Sequence, residues 1–395
     1  MIFSLDISTL TFILLTLAFL FALTASIVGL KQMRTVARAG KRLPKDTPDD
    51  TDLPAISVIV YAHNAEKHIK NLLTSLLEQD HPNFEIIVVN DASEDNTAEI
   101  VNNMIPEDSR LYMTFVSPTA RNISHRKMAY TMGLKAAKHP VALLTSSNIE
   151  VPHRSWLRHM SAPFANPDIE VGIGSAYVPA STDKGHGRYW RAFDSLTSET
   201  RWLGAALEGK TYRGTAYNLA FRPTAFFRHN GFASTNRFQG GEDDLFIKEI
   251  STSDNTATIF RPEAMPAISI DSTEYPRLWL RSKERYTFTS HYLRSPIQRM
   301  QGLMSLCVWA ELGCAIAAAI TGYPDMLPAT IALLIMIISY GYRICVYRRA
   351  ASAMRSIRLW WAVPLFWLIR PVANAIYRIG FQATRHTNYT WQQPK

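Results

Sequence analysis

Ile56-Ser57-Val58-Ile59-Val60-Tyr61-Ala62-His63-Asn64 opens the stretch that decides the fold. An apolar run broken only by Ser57 predicts a buried strand at Ile56 to Tyr61, ending in a polar turn. Glu66 to Glu78 follows with Ile69, Leu72, Leu73, Leu76 and Leu77 at helical spacing, and Phe84 to Val89 supplies the next strand of a βαβ unit. The alternation continues through a helix at Thr97 to Met104, a strand at Leu111 to Val116, a helix at Lys127 to Ala137 and a strand at Val141 to Leu144. It predicts an α/β, Rossmann-like domain on a mostly parallel sheet. Ligands of such sheets lie beyond the carboxyl ends of the strands, which gathers Tyr61 to Asn64, Asp91 and Thr145 to Glu150 around one crevice.

Outside that domain the apolar residues fall in long blocks. Ile7 to Leu30 is long enough, at about 1.5 Å per residue, to cross a hydrocarbon core of roughly 30 Å. No Lys or Arg precedes it as a cleaved leader would want, so a retained transmembrane helix is expected over 1–30. Gly302 to Tyr323 and Met326 to Tyr347 flank the turn Gly322-Tyr323-Pro324-Asp325 and read as a transmembrane hairpin over 302–347. Lys31, Arg34, Arg38, Lys41 and Arg42 follow the first block, and Arg343, Arg348, Arg349, Arg355 and Arg358 close the third. Both clusters predict one topology, with the N-terminus outside and the domain cytoplasmic, in an integral membrane protein of bacterial inner-membrane type. Arg370-Pro371 inside 359–380 leaves open a further span or an interfacial helix there. The remaining expectations are a basic linker at 31–53, the soluble domain at 54–286, an interfacial helix at 287–301 and a polar tail at 381–395. Much of the net charge of +9 sits beside the apolar blocks, where it suits membrane lipids rather than nucleic acid. The three cysteines, Cys307, Cys314 and Cys345, lie in the hairpin without metal-ligand spacing.

Two acidic clusters stand out within the domain, Val89-Asn90-Asp91-Ala92-Ser93 and Gly240-Gly241-Glu242-Asp243-Asp244-Leu245. With Val58-Ile59-Val60-Tyr61-Ala62-His63-Asn64-Ala65-Glu66, the first resembles the N-terminal half of family 2 glycosyltransferases, inverting enzymes with a nucleotide-sugar-binding GT-A fold. The resemblance implies nucleotide binding at Tyr61, Ala62, His63, Glu66, Asp91 and Lys127, with Asp91 accepting a hydrogen bond from uracil. It further implies that Asp243 deprotonates an acceptor hydroxyl with Glu242 in support, and that Arg285 and Asn218 border the diphosphate and acceptor. Trp279 to Tyr286 is similar to a degenerate Gln-x-x-Arg-Trp segment, keeping Arg285.

One departure matters for chemistry. Where the family has Asp-x-Asp for a divalent cation, this chain has Ser146 and Asn148, with Glu150 two residues on. Loss of two carboxylates weakens any Mg2+ or Mn2+ site, and three options stay open: a displaced Asn148 and Glu150 pair, neutralisation by Lys127 or Arg285 without metal, or loss of catalysis. The expected partners are a UDP-sugar, a lipid-linked or cell-surface glycan acceptor and membrane lipids. The competing expectation is a catalytically silent GT-A module acting as scaffold among other polysaccharide-assembly proteins.

Overall fold

The computed structural model describes residues 8–42, 48–49, 53–117, 124–293 and 295–382. Part of the predicted linker and 383–395 of the predicted tail lie outside the described residues. The chain lays down β1 (Ile56–Ala62), β2 (Phe84–Asp91), β3 (Leu111–Val116), β4 (Val141–Ser146), β5 (Ile149–Glu150), β6 (Val171–Ile173), β7 (Leu219–Phe221), β8 (Thr256–Thr258) and β9 (Ala267–Ile268). Seven of them form one sheet in the order β3-β2-β1-β4-β7-β6-β8, while β5 and β9 pair separately. Only β7 is antiparallel to its neighbours, so the sheet is mostly parallel, as expected.

Strand alternation divides the apolar residues between two cores. Val58, Val60, Ile86, Val88 and Leu143 face the helix Ile69–Leu77, whose Ile69, Leu72, Leu73 and Leu76 are buried against them. Ile59, Ile87, Val89 and Leu144 face the helices His125–Ala136 and Arg188–Ala206. This second core runs on without a break into Met33 and Val36 and into Val346, Tyr347 and Ala350 of the helix Met326–Ala353.

That continuity corrects the expected linker. Lys31–Ala39 is a helix, because Gln32, Met33, Val36 and Ala37 form one buried stripe at helical spacing. The expected boundary at 286/287 also falls inside a single helix, Tyr275–Leu293, and the break comes just before Pro296 opens the next helix.

Thr9–Ile27, Pro296–Thr321 and Met326–Ala353 are long and apolar enough to cross a membrane. Thr11 and Thr321 join the first two through their hydroxyls at 3.0 Å. In the hairpin, Arg343 and Ser339 both donate to Glu311, and all three are buried. The last helix, Val363–Gln382, is tied to the soluble domain: Arg370 donates from Nε to Asp194 Oδ1 at 2.8 Å and from Nη2 to Ser198 Oγ at 2.9 Å.

Gly204 allows the helices Lys31–Ala39 and Arg188–Ala206 to touch, since a Cβ there would lie 2.4 Å from the Gln32 carbonyl oxygen. Both helices must part to relieve that clash. Gly204→Ala is therefore expected to cost about 1–3 kcal/mol, read as a lowered thermal midpoint of the purified full chain; an unchanged midpoint would show that the contact yields freely.

Candidate active site

The carboxyl ends of β1, β2 and β4 build the crevice. The turn after β1 and the turn after β2 carry positive φ at Asn64 (49°) and Ala92 (47°), and each satisfies the other's backbone. Asn64 N donates to Ser93 Oγ at 3.0 Å, Glu94 N to Asn64 Oδ1 at 2.9 Å, and Asn96 N to Glu66 Oε2 at 3.2 Å. Glu66 therefore serves as a turn acceptor, while Ala62 is a buried strand end that offers only backbone.

Asp91 lies at the floor of this pair of turns and is 4% exposed. Its Oδ2 accepts from the Tyr61 hydroxyl at 2.7 Å and its Oδ1 from His125 Nδ1 at 2.7 Å, while His63 Nδ1 donates to the Asp91 carbonyl at 2.6 Å. Each carboxylate oxygen has a second lone pair, so Asp91 can still accept from an imide N–H. Arg126 stacks 4.8 Å above the Tyr61 ring. Sequence reasoning left His125 without a role; its link to Asp91 spans 34 positions and carries no local signal.

Glu242, Asp243 and Asp244 are each at most 1% exposed. Gly241 makes their turn with φ of 104°, and Gly240 leaves space where a Cβ would come within 3.0 Å of Arg285 Cδ. The helix Tyr275–Leu293 then serves the three acids in turn. Arg285 donates to Glu242 Oε1 at 2.8 Å, the Tyr286 hydroxyl to Asp243 Oδ2 at 2.6 Å, and the Thr289 hydroxyl to Asp244. Arg285 also reaches Asp243 Oδ2 at 3.3 Å, Arg126 approaches Glu242 at 3.6 Å, and Arg213 stacks 3.3 Å from the Tyr286 ring centroid. Burial alone would push the Asp243 carboxyl up; Arg285, Arg213 and the Tyr286 hydroxyl outweigh it and hold it below the usual carboxylate range. Asp243 Oδ1 and Glu242 Oε2 accept no hydrogen bond among the described residues.

Two expected site residues are committed elsewhere. Lys127 is buried, and its ammonium donates to the Thr235 and Phe238 carbonyls at 2.6 and 3.0 Å, so Arg126, one step round the helix, is the cation that faces Tyr61. Asn218 is wholly buried; it donates to the Ser175 and Ala264 carbonyls and accepts from Trp156 Nε1, which makes it a core bracket rather than an acceptor contact.

The cation site fares no better. Asn148 offers a buried, unpartnered Oδ1 and Ser146 a hydroxyl, but Glu150 is exposed and its Oε1 accepts from Ser269 Oγ at 2.7 Å. Among the described residues no three His, Cys, Asp or Glu side chains converge. Two neutral oxygens do not fit a hard divalent cation, and the expected Asn148 and Glu150 pair is not a metal site in this arrangement.

Asp244 is the outlier among the acids, pushed up to about 6 by burial and then by the Asp243 charge beside it. The folded chain thus holds this proton more tightly than the unfolded chain, so its contribution to stability is full at low pH and falls as pH rises through 6. Asp244→Asn removes that fall. Its thermal midpoint should gain on the parent's between pH 4.5 and 7 by a few degrees, as about 1 kcal/mol moves a domain of this size by roughly 2–4 °C; a pH-independent difference would refute the raised proton affinity.

Residues 57–238 match the family model described as glycosyl transferase family 2. An uncharacterized glycosyltransferase of Haemophilus influenzae is 38% identical over 82 residues, 19% of this chain and 32% of its own length. Glycosyltransferase GlyG of Streptococcus pneumoniae is 26% identical over 135 residues, 34% of this chain and 42% of its own. The chain thus spans less than half the length of these two curated relatives. The solved structure of mannosyltransferase PcManGT from Pyrobaculum calidifontis, in complex with GDP-Man and Mn2+, aligns over 94% of this chain and 98% of its own with TM-score 0.56 and 19% identity, which establishes the shared fold. With the family model seated on the parallel sheet and both acidic turns built around one crevice, the chain has a GT-A fold whose residues 57–238 are similar to glycosyltransferase family 2.

Proposed function

We propose that the protein transfers a sugar, with inversion, from a UDP-sugar to a hydroxyl of a lipid-linked or membrane-proximal glycan. The observation that carries this reading is Asp243, a buried carboxylate held in its charged form with Oδ1 free of any hydrogen bond among the described residues. The acceptor oxygen bonds to the anomeric carbon as the bond to the diphosphate oxygen breaks. The nucleoside diphosphate leaves with the electron pair, and the hydroxyl proton passes to Asp243. One displacement inverts the centre, so no enzyme nucleophile is required.

A carboxylate held low is a poor base, and the arginines supply the remedy. Arg285 now divides itself between Glu242 and Asp243. A donor diphosphate competes for that guanidinium and draws it away, which raises the basicity of Asp243 while the leaving charge is neutralised by Arg285 and Arg126. This route uses protein-borne cations at the place where Ser146 and Asn148 offer no anionic ligand. Asp91 selects the base by accepting from the uracil imide, positioned by Tyr61 and His125.

The basic ends of the apolar helices support a cytoplasmic domain with the N-terminus outside. The silent-scaffold reading is favoured by Ser146 and Asn148 alone; the charged acid cluster opposes it.

Asp243→Asn is expected to lower turnover by about 10²-fold or more while UDP binding, followed by isothermal titration, persists. Parent-like turnover would remove Asp243 as base, and UDP binding without turnover across many acceptors would favour the scaffold. Chelator should change the dissociation constant for UDP by less than about threefold, under roughly 0.7 kcal/mol; strict dependence on Mn2+ would overturn the protein-borne cations.

A further inference from the structure

A cavity of about 1020 Å3 opens beside the acid cluster, between the soluble domain and the helices Pro296–Thr321 and Val363–Gln382. Four arginines line it, Arg201, Arg213, Arg299 and Arg378, against one carboxylate, Glu284. Arg201 is the telling residue. Its guanidinium makes no hydrogen bond or ion pair among the described residues, although the residue is half-buried in the cavity wall. The nearby acid that would ordinarily neutralise it, Asp194, is already shared by Arg370 and Lys283 at 2.8 and 2.5 Å. Burial, with Arg370 beside it, depresses Arg201 to about 9. A cation left unpaired next to another cation gains from any anion that enters.

Apolar side chains share the lining with these arginines. Leu306 belongs to a helix long and apolar enough to cross a membrane, and Phe381 closes the last helix. Arg213, also in the lining, stacks on Tyr286, whose hydroxyl bonds Asp243. The lining thus combines hydrocarbon-compatible surface with arginines, one of which, Arg213, touches the tyrosine bonded to Asp243.

We propose that this cavity seats the acceptor by an anionic phosphate head attached to an apolar chain, with Arg201 and Arg378 holding the phosphate and the chain lying against Leu306 and Phe381. The assignment rests on the transferase reading and narrows its acceptor to a phosphorylated lipid carrier. The carrier's hydroxyl-bearing portion then reaches Asp243 past Arg213.

The test uses the full chain in phosphatidylcholine nanodiscs, titrated with dodecyl phosphate, dodecanol and inorganic phosphate. Saturable binding of dodecyl phosphate at least about tenfold tighter than either half-ligand is expected, with a loss of about tenfold or more, 1.4 kcal/mol, in Arg201→Gln and in Arg378→Gln. Retained UDP binding in both variants shows that they are folded. Equal affinity for dodecyl phosphate and inorganic phosphate would mean a plain anion site, and equal affinity for dodecanol a greasy cleft; either overturns the proposal, as do unaffected variants. If UDP binds and Asp243→Asn is inactive while dodecyl phosphate is ignored, only the cavity assignment falls. If UDP fails to bind the parent chain, the transferase reading falls with it.

Discussion

Burying three consecutive acids, Glu242, Asp243 and Asp244, is the constraint around which the structure is arranged. Removing carboxylates from water is costly unless each finds a donor, and the donors come from one helix at consecutive and next-turn positions, Arg285, Tyr286 and Thr289. That requirement fixes how Tyr275–Leu293 lies across the domain, and through it where Pro296–Thr321 begins. The long apolar helices and the candidate site are therefore one assembly, joined on the other side by the core that Met33, Val36 and Tyr347 share with the sheet.

The βαβ order and the parallel sheet were legible because buried parallel strands leave uninterrupted apolar runs and their helices leave a 3.6-residue stripe. The helix Lys31–Ala39 was missed because its stripe is short and surrounded by charge, which reads as a linker until Gly204 is seen to receive it. Asp91 and the three acids were legible as motifs. Of their partners Arg285 was legible, but His125, Arg126 and Arg213 were not, being brought to them by sheet topology from segments with no shared spacing. Lys127 and Arg126 show the limit most clearly, since adjacent helical residues point about 100° apart and sequence cannot say which meets the crevice. Asn218 misled for a different reason. A polar residue near a strand end can as easily bracket two carbonyls as bind a ligand, and here it brackets Ser175 and Ala264.

Ser146 and Asn148 gain meaning from what surrounds them. Three guanidiniums, Arg285, Arg213 and Arg126, act on Asp243, whereas Ser146 and Asn148 offer no anionic ligand. Under the function proposed above, those guanidiniums supply the positive charge that the neutral side chains at 146 and 148 would not recruit.

The pair buried between Pro296–Thr321 and Met326–Ala353 bears on how such a chain is made. Glu311 sits on one helix and Arg343 on the other, and the Glu311 carboxylate accepts from both Arg343 and Ser339. Alone in hydrocarbon, either helix would carry an unpaired ion. For a hairpin that enters lipid, closing the Gly322 to Asp325 turn lets the two charges meet, so the two helices are expected to insert as a pair.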